Sequence, residues 1–119
     1  EDLNEEVTQG GSNYSGGQKQ RLSIARAIID AHDFYLFDDC FSALDMNTER
    51  VIKNNLKNLK DSSILIVSQR VSTIMDADEI LVIDNGEIIA KGKHDMLVED
   101  CEVYREIVNT QIDKMEVGL

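Results

Sequence analysis

Apolar residues along this chain come in short bursts. Two bursts are nearly continuous, FYLF at 34–37 and SILIV at 63–67, the pattern of strands covered on both faces. Between them Ile52, Leu56 and Leu59 recur at helical spacing, which predicts a helix from about Thr48 to Leu59 with Asp45 or Asn47 as its N-cap. Strand, helix and strand in that order make a crossover unit with a parallel pair. Upstream, Leu22, Ala25, Ile28 and Ile29 share one face of a helix predicted from Gly17 to Ala31. Ser15 is its N-cap, and Gln18 completes a capping box. Residues 1–14 are polar and glycine-bearing, and read as loop with a helical turn at most.

Downstream, VSTIMDA predicts a short helix. EILVID and EIIAK flank Asn85-Gly86, a two-residue hairpin turn that needs positive φ at both positions. The hairpin is expected to add antiparallel strands at one edge of the sheet. From about His94 to Met115 the chain reads as helix, with Leu97, Cys101, Tyr104, Val108 and Ile112 near a common stripe. The fold class is therefore α/β: parallel strands with crossover helices, then a β-hairpin and C-terminal helices. No internal repeat interrupts it.

Length, 119 residues, suits one domain with one core. The net charge is −11, from 23 acidic and 12 basic residues. That excludes general binding to nucleic acid or to an anionic membrane surface, both of which need clustered Lys and Arg. Cys40 and Cys101 have no CxxC partner, so neither a zinc site nor a disulfide framework follows. The isolated histidines, His32 and His94, have packing or surface roles. No run reaches the length of a membrane helix, and no leader sequence is visible. The opening residues read as the middle of a domain, so the chain is expected to be a piece of a larger protein.

Two stretches carry candidate chemistry. Ser15-Gly16-Gly17-Gln18 opens a helix, where unsatisfied N–H groups and the helix dipole favour an anion. Asp38-Asp39 ends a buried strand, and ligands of open parallel sheets gather outside such ends. A first carboxylate there suits Mg²⁺, and a second suits orienting or deprotonating an attacking water.

Taken together and in order, YSGGQKQR, FYLFDD, SALD and VSQRVSTIMDADEILVIDNGEIIAKGKHDML resemble the C-terminal half of the nucleotide-binding domain of an exporter-type ABC transporter. The resemblance runs from about Val7 to Val108. It implies a partial P-loop NTPase domain across residues 1–119, with ATP and Mg²⁺ as cofactors of the intact protein. Ser15, Gly16, Gly17 and Gln18 match the signature motif, which in the family meets the γ-phosphate of ATP held by the opposite subunit. Asp38 matches the magnesium-side acid of Walker B. Asp39 stands where the family has its catalytic Glu. Ser42 and Asp45 belong to the SALD loop, the D-loop that crosses the dimer interface. Gln69 stands where the family has the switch His. EVTQGG at 6–11 is similar to the segment that meets the transmembrane domains in exporters. No GxxxxGK[ST] occurs: Gly92-Lys93 is followed by His94 and has Glu87 where the first glycine should be. The Walker A half is therefore expected upstream, and the chain alone is expected to be inactive.

Two positions depart from the family pattern. Asp39 is shorter than Glu by about 1.5 Å, one C–C bond. Gln69 cannot carry charge or exchange a proton as imidazole does. Both changes weaken the site built on this chain's own Walker motifs, while the signature and D-loop keep the family pattern. That split resembles the degenerate half of a heterodimeric exporter at the cytoplasmic face of the cell membrane. Its implied partners are a second nucleotide-binding domain and the transporter's transmembrane domains, with no nucleic acid. A homodimer with tolerated substitutions is the plainer alternative. A regulatory nucleotide-gated dimerisation module and a soluble ABC ATPase of DNA repair or translation are the competing functions. Cut from its parent, the chain is expected to self-associate through exposed sheet edges.

Overall fold

The computed structural model describes residues 4–59 and 61–117; residues 1–3 of the predicted opening loop lie outside them. The chain divides into two compact units, 1–67 and 68–119. Each has its own apolar cluster, which corrects the expectation of one core. The cause is local connectivity: each unit closes its core from elements adjacent in sequence.

In the first unit a single 3₁₀ turn, Gln9–Gly11, precedes helix α1, Gly16–Ile28. Strand β1, Phe34–Asp38, helix α2, Met46–Leu56, and strand β2, Ser63–Val67, follow. β1 and β2 pair in parallel with Phe34 opposite Ser63 and Asp38 opposite Val67, as the crossover predicts. Asp45 caps α2, accepting the Thr48 N–H at 3.0 Å. The helix ends earlier than predicted, yet Leu59 beyond it still packs on the core.

Two predictions about burial are corrected here. β1 is covered on one face only. Tyr35 and Phe37 point into a cluster with Ile24, Phe41, Leu44 and Leu56, while Phe34 and Leu36 are 56% and 58% exposed. β2 is likewise open, with Leu65 and Val67 exposed. A two-stranded sheet flanked on one face leaves alternate side chains uncovered, so a continuous apolar run does not by itself reveal two-sided burial. The second correction concerns α1. Its predicted inward stripe points outward, with Leu22 and Ile29 49% and 80% exposed. Ile24 is the buried residue, with Ala27 packed beside it. Periodicity finds a stripe but not which stripe meets the core, and here a polar side chain, Gln20, lies on the inward one.

The second unit holds a short helix α3, Val71–Ile74, strands β3, Ile80–Asp84, and β4, Glu87–Gly92, and helices α4, His94–Asp100, and α5, Glu102–Val117. Asn85 and Gly86 take φ of 48° and 80°, the tight turn the Asn-Gly pair predicts. Among the described residues β3 and β4 pair only with each other, as a separate antiparallel sheet with an irregularity between Val82 and Ile83. The expectation that they extend the parallel sheet's edge is thus corrected. The C-terminal helices expected from the sequence are two, separated at Cys101, where φ is −116° and ψ 106°. Arg105 explains the break, since its guanidinium donates to the Val98 and Glu99 carbonyls that end α4. No Gly or Pro marks this stop in the sequence. Leu97, Cys101, Tyr104 and Val108 are buried as the stripe predicts, but Ile112 is half exposed. The His94 ring lies edge-on to Tyr104 and its Nδ1 shares a 2.9 Å hydrogen bond with the Tyr104 hydroxyl, a packing role. No helix of the described residues is long and apolar enough to cross a membrane.

Candidate functional site

The start of α1 is built as a capping box. Ser15 Oγ accepts the Gln18 N–H at 3.2 Å, and Gln18 Oε1 accepts the Ser15 N–H at 2.8 Å. Both side chains thereby satisfy their own helix. The N–H groups of Gly16 and Gly17 are the orphan donors that remain at this end, beside the positive pole of the dipole. The glycines also have an inward reason. A Cβ on Gly17 would stand 3.0 Å from the Ala43 carbonyl oxygen, and one on Gly16 would stand 3.4 Å from the Ala43 Cβ. Helix α1 therefore seats directly on the SALD loop, and the tight approach to the Ala43 carbonyl favours glycine at 17 apart from any anion, while a Cβ at 16 would make ordinary contact.

Asp38 and Asp39 are exposed at the C-terminal end of β1. Asp39 takes a left-handed φ of 50°, a conformation that Asp and Asn tolerate better than most residues. Its backbone is held on both sides. The Asp39 N–H donates to Val67 O at 2.9 Å, and its carbonyl accepts from Gln20 Nε2 at 3.1 Å and Ser42 Oγ at 3.3 Å. Cys40 Sγ donates to Asp38 O at 3.4 Å, and burial first, with the neighbouring carboxylates, pushes the Cys40 thiol up. Among the described residues no three His, Cys, Asp or Glu form a metal cage. One exposed carboxylate fits Mg²⁺, which keeps its waters and takes further oxygens from phosphates.

Residues from separate segments of the sequence are thus drawn together: Gly16 and Gly17 face Ala43, and Gln20 bonds to the backbone of Asp39 and Ala43 and to the Ser42 hydroxyl. Asp45 itself is turned to local use. Its Oδ1 accepts the Thr48 N–H and its Oδ2 the Thr48 hydroxyl at 2.6 Å. The hydroxyl chiefly, then the amide, holds its carboxyl below the usual carboxylate range.

The comparisons bear on this geometry. The family model described as ABC transporter matches residues 1–42. An uncharacterized ABC transporter ATP-binding protein of Mycobacterium tuberculosis is 44% identical over 117 residues, 98% of this chain and 20% of that protein. The ATP-dependent lipid A-core flippase of Haemophilus influenzae is 42% identical over 106 residues, 88% of this chain and 18% of the flippase. A solved bacterial Atm1-family ABC exporter with ATP bound superposes with a TM-score of 0.86 at 36% identity, covering 90% of this chain and 19% of its own. Sequence and fold are those of a segment of an ABC transporter ATPase domain. The chain spans about a fifth of the length of the curated relatives it matches.

Within an ABC ATPase segment, two glutamines missed by sequence reading stand out. Gln20 bridges α1 to the loop after β1. Gln111, on α5, donates to the Gln69 carbonyl at 2.6 Å and accepts the Val71 N–H at 2.9 Å. Gln69 is itself exposed, and Ser68 Oγ accepts the Arg70 N–H at 3.0 Å beside it. The backbone around Gln69 is therefore braced from a helix some 40 residues on. Neither glutamine announces itself: the contact of Gln111 is non-local, and Gln20 resembles any solvated helix residue. The one available signal was its spacing from Ile24 and Ala27, which puts it on their face.

Proposed function

We propose that this chain is the signature, Walker B, D-loop and switch portion of an exporter's nucleotide-binding domain. In the intact protein it works with a second nucleotide-binding domain and with transmembrane domains, at the cytoplasmic face of a membrane. The Walker A half lies in sequence outside this chain. The observation that carries the reading is the seating of the Ser15–Gln18 helix start on the loop that follows Asp38-Asp39, in a chain similar to ABC exporters along nearly its whole length. Gly16 and Gly17 N–H groups receive the γ-phosphate of ATP held by the partner, where no Cβ intervenes. Asp38 would hold Mg²⁺ through its carboxylate, and the ion would supply positive charge beside the phosphates. Asp39 and Gln69 serve this chain's own site. There the shortened acid falls short of the attacking water, and a misplacement of about 1 Å costs on the order of 10²-fold. Gln69 donates a hydrogen bond to phosphate without a proton to exchange.

The pair is therefore asymmetric: an intact signature lent to the partner's site, and a slow site of its own. ATP binding closes the two domains and hydrolysis at the competent site reopens them, coupling the cycle to export. Single-turnover hydrolysis by the intact transporter, with each site disabled in turn, tests this. Loss confined to the site served by Ser15–Gln18 is expected. Equal loss from both sites would refute the asymmetry and favour a homodimer. The absence of any hydrolysis would favour a regulatory nucleotide-gated module. Transmembrane sequence lacking from the intact protein would favour a soluble ABC ATPase.

A further inference from the structure

We propose that Gln20 is a positioning residue that locks the signature helix to the Asp39 turn, so that the two composite ATP sites respond to one another through one side chain. This rests on the functional reading above. The side-chain amide of Gln20 makes three hydrogen bonds to the loop after β1. Nε2 donates to Asp39 O at 3.1 Å and to Ser42 Oγ at 2.9 Å, and Oε1 accepts the Ala43 N–H at 2.8 Å. Ser42 Oγ in turn donates to the same Asp39 carbonyl at 3.3 Å, closing a ring through Gln20, Ser42 and Asp39.

The placement is specific. Gln20 lies one turn into α1, two residues past the Gln18 that closes the capping box. On the same inward face a Cβ on Gly17 would stand 3.0 Å from Ala43 O, and Ile24 is anchored in the core. The helix is thus held to the loop by a close backbone approach, a polar clamp and an apolar anchor in succession. Asp39 stands in a left-handed conformation, so its carboxylate direction depends on what fixes its carbonyl. That carbonyl is held by Gln20 and Ser42. A displacement of the helix start by a γ-phosphate on one side therefore reaches the Asp39 turn and the Ser42 loop on the other through the amide plane.

The test is ATP hydrolysis by the intact transporter with its natural partner domain. Gln20→Met keeps length and helix propensity and removes all three bonds. Gln20→Glu keeps the acceptor for Ala43 N–H and loses both donors. For Gln20→Met, kcat is expected to fall about tenfold, a fraction of what a displacement of about 1 Å costs, with KM for Mg-ATP within about twofold. Gln20→Glu, which sets a carboxylate oxygen against the Asp39 carbonyl, falls at least as far. Ser42→Ala lowers kcat alone but adds nothing in the Gln20→Met background, because both act through one ring. Amide hydrogen exchange at Ala43 accelerates in Gln20→Met. Unchanged kcat in Gln20→Met, whether or not Ala43 loses protection, would overturn the proposal. So would additive losses from Gln20→Met and Ser42→Ala. A wild-type transporter with no ATP hydrolysis would instead bring down the functional reading, and the coupling with it.

Discussion

Replacing Ser15 by Asp separates the helix start as a structural cap from the helix start as a phosphate site. Asp caps helices as well as Ser does, and a carboxylate at the positive pole of the dipole adds about 0.3–1 kcal/mol. The Ser15 Oγ already accepts the Gln18 N–H at 3.2 Å, so a carboxylate at this position finds its donor in place. Folding stability should therefore hold or rise. Phosphate binding should do the opposite. An oxyanion accepting from the Gly16 and Gly17 N–H groups sits about 3 Å from those nitrogens. The new carboxylate then lies about 5 Å from it, and like charges at that distance repel by about 3 kcal/mol at a near-surface effective dielectric of about 20. At about 1.4 kcal/mol per tenfold, this is a loss on the order of 10²-fold in γ-phosphate binding. Ser15→Asn is the control, a neutral cap of equal quality. The assay pairs thermal unfolding of the intact transporter with single-turnover hydrolysis at the partner's nucleotide. Hydrolysis by Ser15→Asp close to that of Ser15→Asn would refute the reasoning, because charge at this helix start would then not be felt by the substrate. Gly17→Asp is a poorer probe, since its Cβ would also press on the Ala43 carbonyl.

Three further outcomes are expected. Asp39→Asn should reduce overall hydrolysis far less than Ser15→Asp, since Asp39 serves the slow site; equal damage in steady-state rates would make a homodimer the better account. Asp45 has a depressed carboxyl, so its capping contribution is full above the ordinary carboxylate pKa of about 3.9 and is lost as pH falls through its lower folded value. Chemical denaturation of wild type and Asp45→Asn should accordingly show profiles that differ in slope only in that acid window; a slope difference near neutral pH would contradict the assignment. The isolated chain should show no saturable heat with Mg-ATP by calorimetry and should self-associate by light scattering through the exposed Phe34, Leu36, Leu65 and Val67. A clean monomer at high concentration, or low-micromolar binding, would contradict this.

What the sequence determined by itself is the local chemistry. The Ser15–Gln18 capping box, the Asp45 cap and the Asn85-Gly86 turn each depend on residues within a few positions of one another, and all three stand in the structure. The parallel pairing of β1 with β2 was legible too, because a helix between two apolar strands leaves little other topology. The order of motifs likewise pointed to the ABC family before any geometry was known. Tertiary structure alone decided which face of α1 turns inward. The apolar stripe Leu22–Ile29 and the stripe of Gly17, Gln20, Ile24 and Ala27 have the same period, and only contact with Ala43 and the core distinguishes them. It alone decided that β1 and β2 bury one side, since burial depends on what lies across the sheet. It alone decided the break at Cys101, where Arg105 takes the carbonyls that would have continued the helix. The clamps of Gln20 and Gln111 belong to the same class. An amide side chain has no preference written in its neighbours; its role is set by whichever backbone groups the fold leaves within reach and in need of a partner.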